Sequence, residues 1–185
     1  DSAMMGDTDW LYLEGYRFDG PQSVAAFDKA IAACKTGGGK ISITLSDPFC
    51  VDRHRDAFRA LIANHTSLLF ANEHELMSLY QTEELEEALG KCARDVEIGA
   101  ITVGAKGAYV VTKGETIHVP TAATKVVDAT GAGDMFAAGF LAGLTQGKDL
   151  ATCASMGCAA AGEIISHIGA RPEADLKKLM AERGL

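Results

Sequence analysis

Apolar residues along the chain fall into short continuous runs separated by stretches with helical spacing. Trp10-Leu11-Tyr12-Leu13 predicts a buried strand closed by Glu14-Gly15. Pro21 then opens a helix whose apolar positions Val24, Phe27, Ile31 and Cys34 share one face, and Gly37-Gly38-Gly39 ends it. Lys40 to Leu45 is the next strand. Ser46-Asp47-Pro48 turns the chain into a helix that points Phe58, Leu61 and Ile62 inward. Ser67 to Ala71 and Ile98 to Val103 read as further strands, with one or two acidic helices between them that end near Cys92. Gly107 to Val119 reads as a hairpin turning near Lys113-Gly114. Val126-Val127 predicts a short apolar strand entering a glycine turn. Helices follow over Ala132 to Gln146, Leu150 to Ser166 and a last segment near the C-terminus.

Strands alternating with helices predict an α/β protein whose largely parallel sheet is covered on both faces. No internal repeat, low-complexity tract or linker interrupts the 185 residues, so one domain is expected. The chain nevertheless enters almost at once into what reads as a central strand.

Composition narrows the function classes. A formal charge of −8 argues against a nucleic-acid backbone or an anionic membrane as partner, but leaves nucleotides open. Cys34, Cys50, Cys92, Cys153 and Cys158 are odd in number and form no CxxC pair. They read as reduced, packed thiols of a cytoplasmic protein. No apolar run reaches membrane-spanning length. The five histidines show no paired metal-ligand spacing.

The chemistry concentrates in Asp128-Ala129-Thr130-Gly131-Ala132-Gly133-Asp134, where small residues open a helix. Bare amides and the aligned peptide dipoles at a helix start make an anion site. Gly131 and Gly133 allow backbone angles and approaches that a side chain would block. Asp134 sets a carboxylate beside that site, which suits a base taking the proton of a hydroxyl that attacks phosphorus. Two other strand ends bear signals. Asn72-Glu73-His74-Glu75 reads either as a helix cap or as a ligand site, and Thr102-Val103-Gly104-Ala105-Lys106-Gly107 as a tight glycine turn or a ligand loop.

Two other glycine patterns are weaker. Gly131 to Phe136 lacks the third glycine of a dinucleotide fingerprint and comes too late in the chain, which removes a Rossmann oxidoreductase. Gly143 to Asp149 is one residue short of a P-loop and ends a helix, with Gly147 as the terminator.

Together, the Asp128–Asp134 turn, Asn72-x-x-Glu75 and Thr102-x-Gly104-x-x-Gly107 resemble the DTxGAGD, NxxE and TxGxxG motifs of the ribokinase-like (PfkB) carbohydrate and nucleoside kinases. Their order and spacing agree, with Ala129 replacing the usual Thr. Glu14-Gly15-Tyr16, Ser46-Asp47-Pro48-Phe49 and Gly169-Ala170-Arg171-Pro172 look most like bacterial adenosine-kinase-like or sugar kinases. The resemblance implies a three-layer α/β/α ribokinase-like fold with a C-terminal hairpin. It implies a kinase moving the γ-phosphoryl group of ATP to a hydroxyl of a sugar or nucleoside. Asp134 would be the base, and the amides of Gly131, Ala132, Gly133 and Asp134 the anion hole. Asn72 and Glu75 would organise Mg²⁺ through water. Thr102, Gly104, Lys106 and Gly107 would line ATP. Asp128, Thr130 and a carbonyl near Gly169 would be the positions for a monovalent cation such as K⁺.

Family members are longer. Residues 1–185 would therefore be the nucleotide-binding and catalytic portion, with the first strands, the lid and most acceptor-recognition residues absent. A further segment is expected to pack on the Trp10–Leu13 strand, and the resemblance admits a homodimer. The alternative is a non-catalytic nucleotide-binding module or regulatory fragment.

Overall fold

The structure is a computed structural model that describes residues 2–20 and 22–185; the expected helix opener Pro21 lies outside the described residues. A short helix, α1 (Ser2–Gly6), precedes β1 (Trp10–Glu14) and a 3-10 turn (Gly15–Asp19). Then follow α2 (Ser23–Thr36), β2 (Lys40–Thr44), α3 (Pro48–His65), β3 (Leu68–Asn72), α4 (Glu73–Tyr80), α5 (Leu85–Asp95) and β4 (Ile98–Thr102). A second 3-10 turn (Gly104–Lys106) leads to β5 (Ala108–Thr112) and β6 (Glu115–Val119), and α6 (Ala132–Thr145), α7 (Leu150–Ile164) and α8 (Leu176–Glu182) complete the chain. The strands hydrogen-bond in the order β1-β2-β3-β4-β5-β6, giving the expected α/β class. β1 and β3 both run parallel to β2, with Leu13 opposite Ile43 and Ile43 opposite Leu69.

The chain divides into two compact units. The first runs to Ile101 and adds Val111–Glu115; the second comprises Thr102–Val110 and Thr116–Leu185. In the first unit, consecutive residues Ile41, Ser42 and Ile43 of β2 are all fully buried, as expected of a parallel strand covered on both faces. The hydroxyl of Ser42 is satisfied by the Leu11 carbonyl at 3.2 Å. Phe58, Leu61 and Ile62 of α3 face inward as their spacing predicts. α3 starts where Asp47 accepts the amides of Phe49 at 2.6 Å and Cys50 at 3.0 Å, with Pro48 at the first helical position.

In the second unit, Gly139 of α6 and Gly157 of α7 let the two helices meet backbone to backbone. A Cβ on Gly139 would lie 2.6 Å from the Met156 carbonyl. Phe136 and Phe140 are buried, and Met135 packs on a cluster of Met156, Ala159, Ala160 and Met180. Gly147 stops α6 with φ +72°, as expected.

Two expectations need correction. Val126-Val127 is not a strand: both side chains are more than half exposed, and the amides of Val127 and Asp128 turn to the Ile165 carbonyl instead of a strand partner. On α2 the inner stripe is Ser23, Phe27, Ile31 and Cys34, which leaves Val24 a helical step away and exposed. Among the described residues β1 stands first in the strand order, with Leu13 buried and Trp10, Leu11 and Tyr12 half-buried. All five cysteines are buried and outside any disulfide: Cys34, Cys50 and Cys92 in the first unit, Cys153 and Cys158 in the second. No helix among the described residues is long and apolar enough to cross a membrane.

Candidate functional site

The sequence-predicted site residues fall into two groups, one in each unit. In the first unit β3 ends at Asn72, and α4 begins on it. The Asn72 side-chain oxygen accepts the Glu75 amide at 2.9 Å, while the Glu75 carboxylate accepts the Asn72 amide at 2.9 Å and its Nδ2 at 2.6 Å. This is a complete capping box, so the structural reading of Asn72 holds. Glu75 is buried, and burial pushes its carboxyl up to about 7, against the opposing hydrogen bond from Asn72. Nearby, the hydroxyl of Tyr16 donates to Asp47 at 3.2 Å, and burial together with that carboxylate raises the phenol above its ordinary range.

The second unit holds the other residues. Asp47, Asn72, Asp149 and Asp175 cap α3, α4, α7 and α8, whereas Gly131 begins α6 with no side-chain cap. Gly131 takes φ +82°, a left-handed turn that favours glycine, and a Cβ there would sit 3.1 Å from the Ala170 methyl. Gly133 differs: its φ is ordinary, and a Cβ built on it meets nothing within 4 Å. Asp134 lies exposed in the same first turn.

A cavity of about 370 Å³ lies within this unit, lined from the strand end by Thr102, Gly104 and Gly107 and from the helix start by Ala132 and Gly133. The two glycine motifs thus line one cavity. Lys106, Gly131 and Asp134 are not lining residues, and the Lys106 carbonyl lies 2.9 Å from Nε2 of His118. Sequence reasoning missed other lining residues, those of the 121–124 loop and Cys158, Ala161, Gly162 and Ile165 of the α7 segment. Those four positions follow helical spacing, a signal that marks a face but not its use.

Asp128, Thr130 and Gly169 also come together. Asp128 Oδ1 accepts the Thr130 amide at 2.9 Å and its hydroxyl at 2.7 Å, and Oδ2 accepts the Gly169 amide at 3.0 Å. These bonds, the Thr130 hydroxyl foremost, hold the carboxyl down at about 2. Among the described residues there is no group of three or more His, Cys, Asp or Glu side chains able to hold a metal.

Chemically, an uncapped helix start beside a walled cavity can bind an anion attached to a larger, mostly apolar body. The family described as pfkB family carbohydrate kinase matches residues 2–176. A crystal structure of a probable sugar kinase protein from Rhizobium etli superposes with a TM-score of 0.97 at 40% identity, covering 100% of this chain and 56% of that one. Adenosine kinase from Sinorhizobium meliloti gives 0.96 at 37%, covering 100% and 57%. A nucleoside kinase of Methanocaldococcus jannaschii is 37% identical over 111 residues, 58% of this chain and 35% of the relative. The chain therefore spans little more than half the length of these relatives at most.

Proposed function

Because the chain belongs to the pfkB family of carbohydrate kinases, we propose that it is the nucleotide-binding and catalytic portion of an ATP-dependent kinase whose acceptor is a hydroxyl of a sugar or nucleoside. The observation that carries the reading is the cavity that Thr102, Gly104, Gly107, Ala132 and Gly133 line together, with Asp134 in the first turn of the same helix as Gly133. Its volume of about 370 Å³ lies within the roughly 300–1,000 Å³ of small-molecule sites.

In this reading the nucleotide body rests in the cavity and its terminal phosphate faces the start of α6. Asp134 takes the acceptor proton as the acceptor oxygen bonds to the γ-phosphorus. The bond from that phosphorus to the β–γ bridging oxygen breaks, and ADP leaves. Amides at the helix start stabilise the charge that spreads over the phosphoryl oxygens. The open space over Gly133 fits a ligand approaching the backbone.

Asn72 and Glu75 remain the positions that the family resemblance gives to Mg²⁺ through water, although two Asn72 donors already occupy the Glu75 carboxylate. A monovalent cation fits less well. Three donors already aim at Asp128 and compete with a cation for it, so no step is drawn through such an ion. Standing first in the strand order among the described residues, β1 suits the approach of a further strand from a longer polypeptide.

The test is ATP consumption by the complete polypeptide with and without a panel of sugars and nucleosides. Turnover that depends on one acceptor class is expected. Binding of ATP with no turnover for any acceptor would instead favour a nucleotide-binding module.

A further inference from the structure

Glu163, in the last turn of α7, has a side chain only 9% exposed and gathers three partners on one carboxylate oxygen. Its Oε1 accepts the amides of Glu173 at 2.9 Å and Ala174 at 2.8 Å, and Nε2 of His167 lies 3.3 Å away. These partners stand at the two ends of the 167–174 loop, so one carboxylate closes it like a clasp. Inside the loop, Gly169 gives its amide to Asp128 at 3.0 Å, and Ala170 lies against the position where Gly131 would bear a Cβ. Asp128 in turn holds Thr130. A continuous path of contacts thus runs from Glu163 to the residue that starts α6.

His167 Nδ1 also faces the Glu173 carboxylate at 3.8 Å across the loop ends. Ile168 is 80% exposed, and residues 170–174 are all exposed, so hydrogen bonds and not apolar burial set the loop's position. Glu163 also keeps Oε2 buried without a hydrogen-bond partner among the described residues. Burying a carboxylate with one oxygen unsatisfied is unfavourable, and such groups call for an explanation beyond local capping.

We propose that Glu163 is a positioning residue. It clasps the 167–174 loop at both ends and thereby steadies Asp128 and Gly131, which set the α6 amides for a phosphoryl group. The chemical half of this inference rests on the kinase reading; the structural half does not.

The test compares wild-type, E163A and E163Q forms of the complete polypeptide. It measures amide hydrogen exchange in peptides covering 126–136 and 166–176, kcat, and the equilibrium Kd for ATP. In E163A, exchange should speed up in both peptides, and kcat should fall about tenfold or more. The Kd for ATP should stay within about twofold, because the loss lies in orientation and not in uniform binding. E163Q keeps an oxygen for the two amides and should recover most of the kcat. If E163A does not fold, E163M, which fills the space without an acceptor oxygen, takes its place. Faster exchange confined to 166–176, or unchanged kcat in a folded variant that has lost the clasp, overturns the proposal. If wild-type protein turns over no acceptor, the kinase reading fails, and the exchange in 126–136 still decides the clasp.

Discussion

Asn72 and Glu75 satisfy each other across the first turn of α4: the Asn72 side chain takes the Glu75 amide, and the Glu75 carboxylate takes the Asn72 amide, both at 2.9 Å. Replacing Asn72 by Ala leaves the Glu75 amide without its cap. The change should cost about 1 kcal/mol in denaturant unfolding, the usual worth of a helix cap.

Glu75 also predicts a pH dependence. Its carboxyl ordinarily titrates at 4.5 and is raised to about 7 by burial. As pH rises between those values, the unfolded chain releases this proton while the folded one keeps it. Stability is therefore full below 4.5 and declines towards 7, by about 3 kcal/mol over the window. Glu75→Gln cannot ionise and should lack that slope. Parallel urea titrations of the two proteins across pH 4 to 8 would show it, and matching slopes would remove Glu75 as the source.

Asp134→Asn in the complete polypeptide keeps the shape of the α6 start but removes the base. Turnover should fall by about 10²–10⁴-fold, the range for loss of a general base. ATP affinity should hardly change. Near-wild-type kcat would refute the assignment.

Gly131 and Gly133 should respond differently to the same substitution. Gly133 has an ordinary φ and open space, so Gly133→Val should leave Tm unchanged while blocking ATP binding and turnover. Gly131 sits at φ +82°, and Gly131→Val should unsettle the fold itself by about 1–3 kcal/mol. Calorimetry beside ATP titration separates the two outcomes.

Gly107 takes φ +99°, and a Cβ there would come within 2.1 Å of the Val119 carbonyl. Gly107→Ala should therefore lower Tm clearly, because backbone and not a flexible side chain blocks the space. A variant with wild-type Tm would show that β6 can give way at that point.

Most elements were legible because their cues are local. Phe58, Leu61 and Ile62 repeat with the helical period, Lys113-Gly114 joins two alternating runs, and Asn72 precedes Glu75 at cap spacing. The misreadings arose where a non-local partner decides. Val126 and Val127 have the composition of a strand, yet the Ile165 carbonyl takes the amides of Val127 and Asp128. Val24 fits an apolar stripe, but Ser23 occupies the inner position once α2 has packed. At the site, glycines with fixed spacing announced part of the cavity lining. The rest includes ordinary small residues such as Ala161 and Gly162, which look like helix packing until the fold brings them to the same cavity as Gly133. Glu163 reads as one more acidic residue near a helix end; only the fold brings Glu173 and Ala174 onto it.

The five buried thiols make the molecule its own reporter of opening. Cys92 is pushed up to about 12 and Cys153 to about 11, mainly by burial, so neither offers thiolate to an alkylating reagent while folded. Labelling at Cys34, Cys50 or Cys92 would time the opening of the first unit, and labelling at Cys153 or Cys158 that of the second. Mass spectrometry of briefly alkylated protein can thus tell whether ATP slows the exposure of one set of cysteines more than the other, with no probe added to the chain.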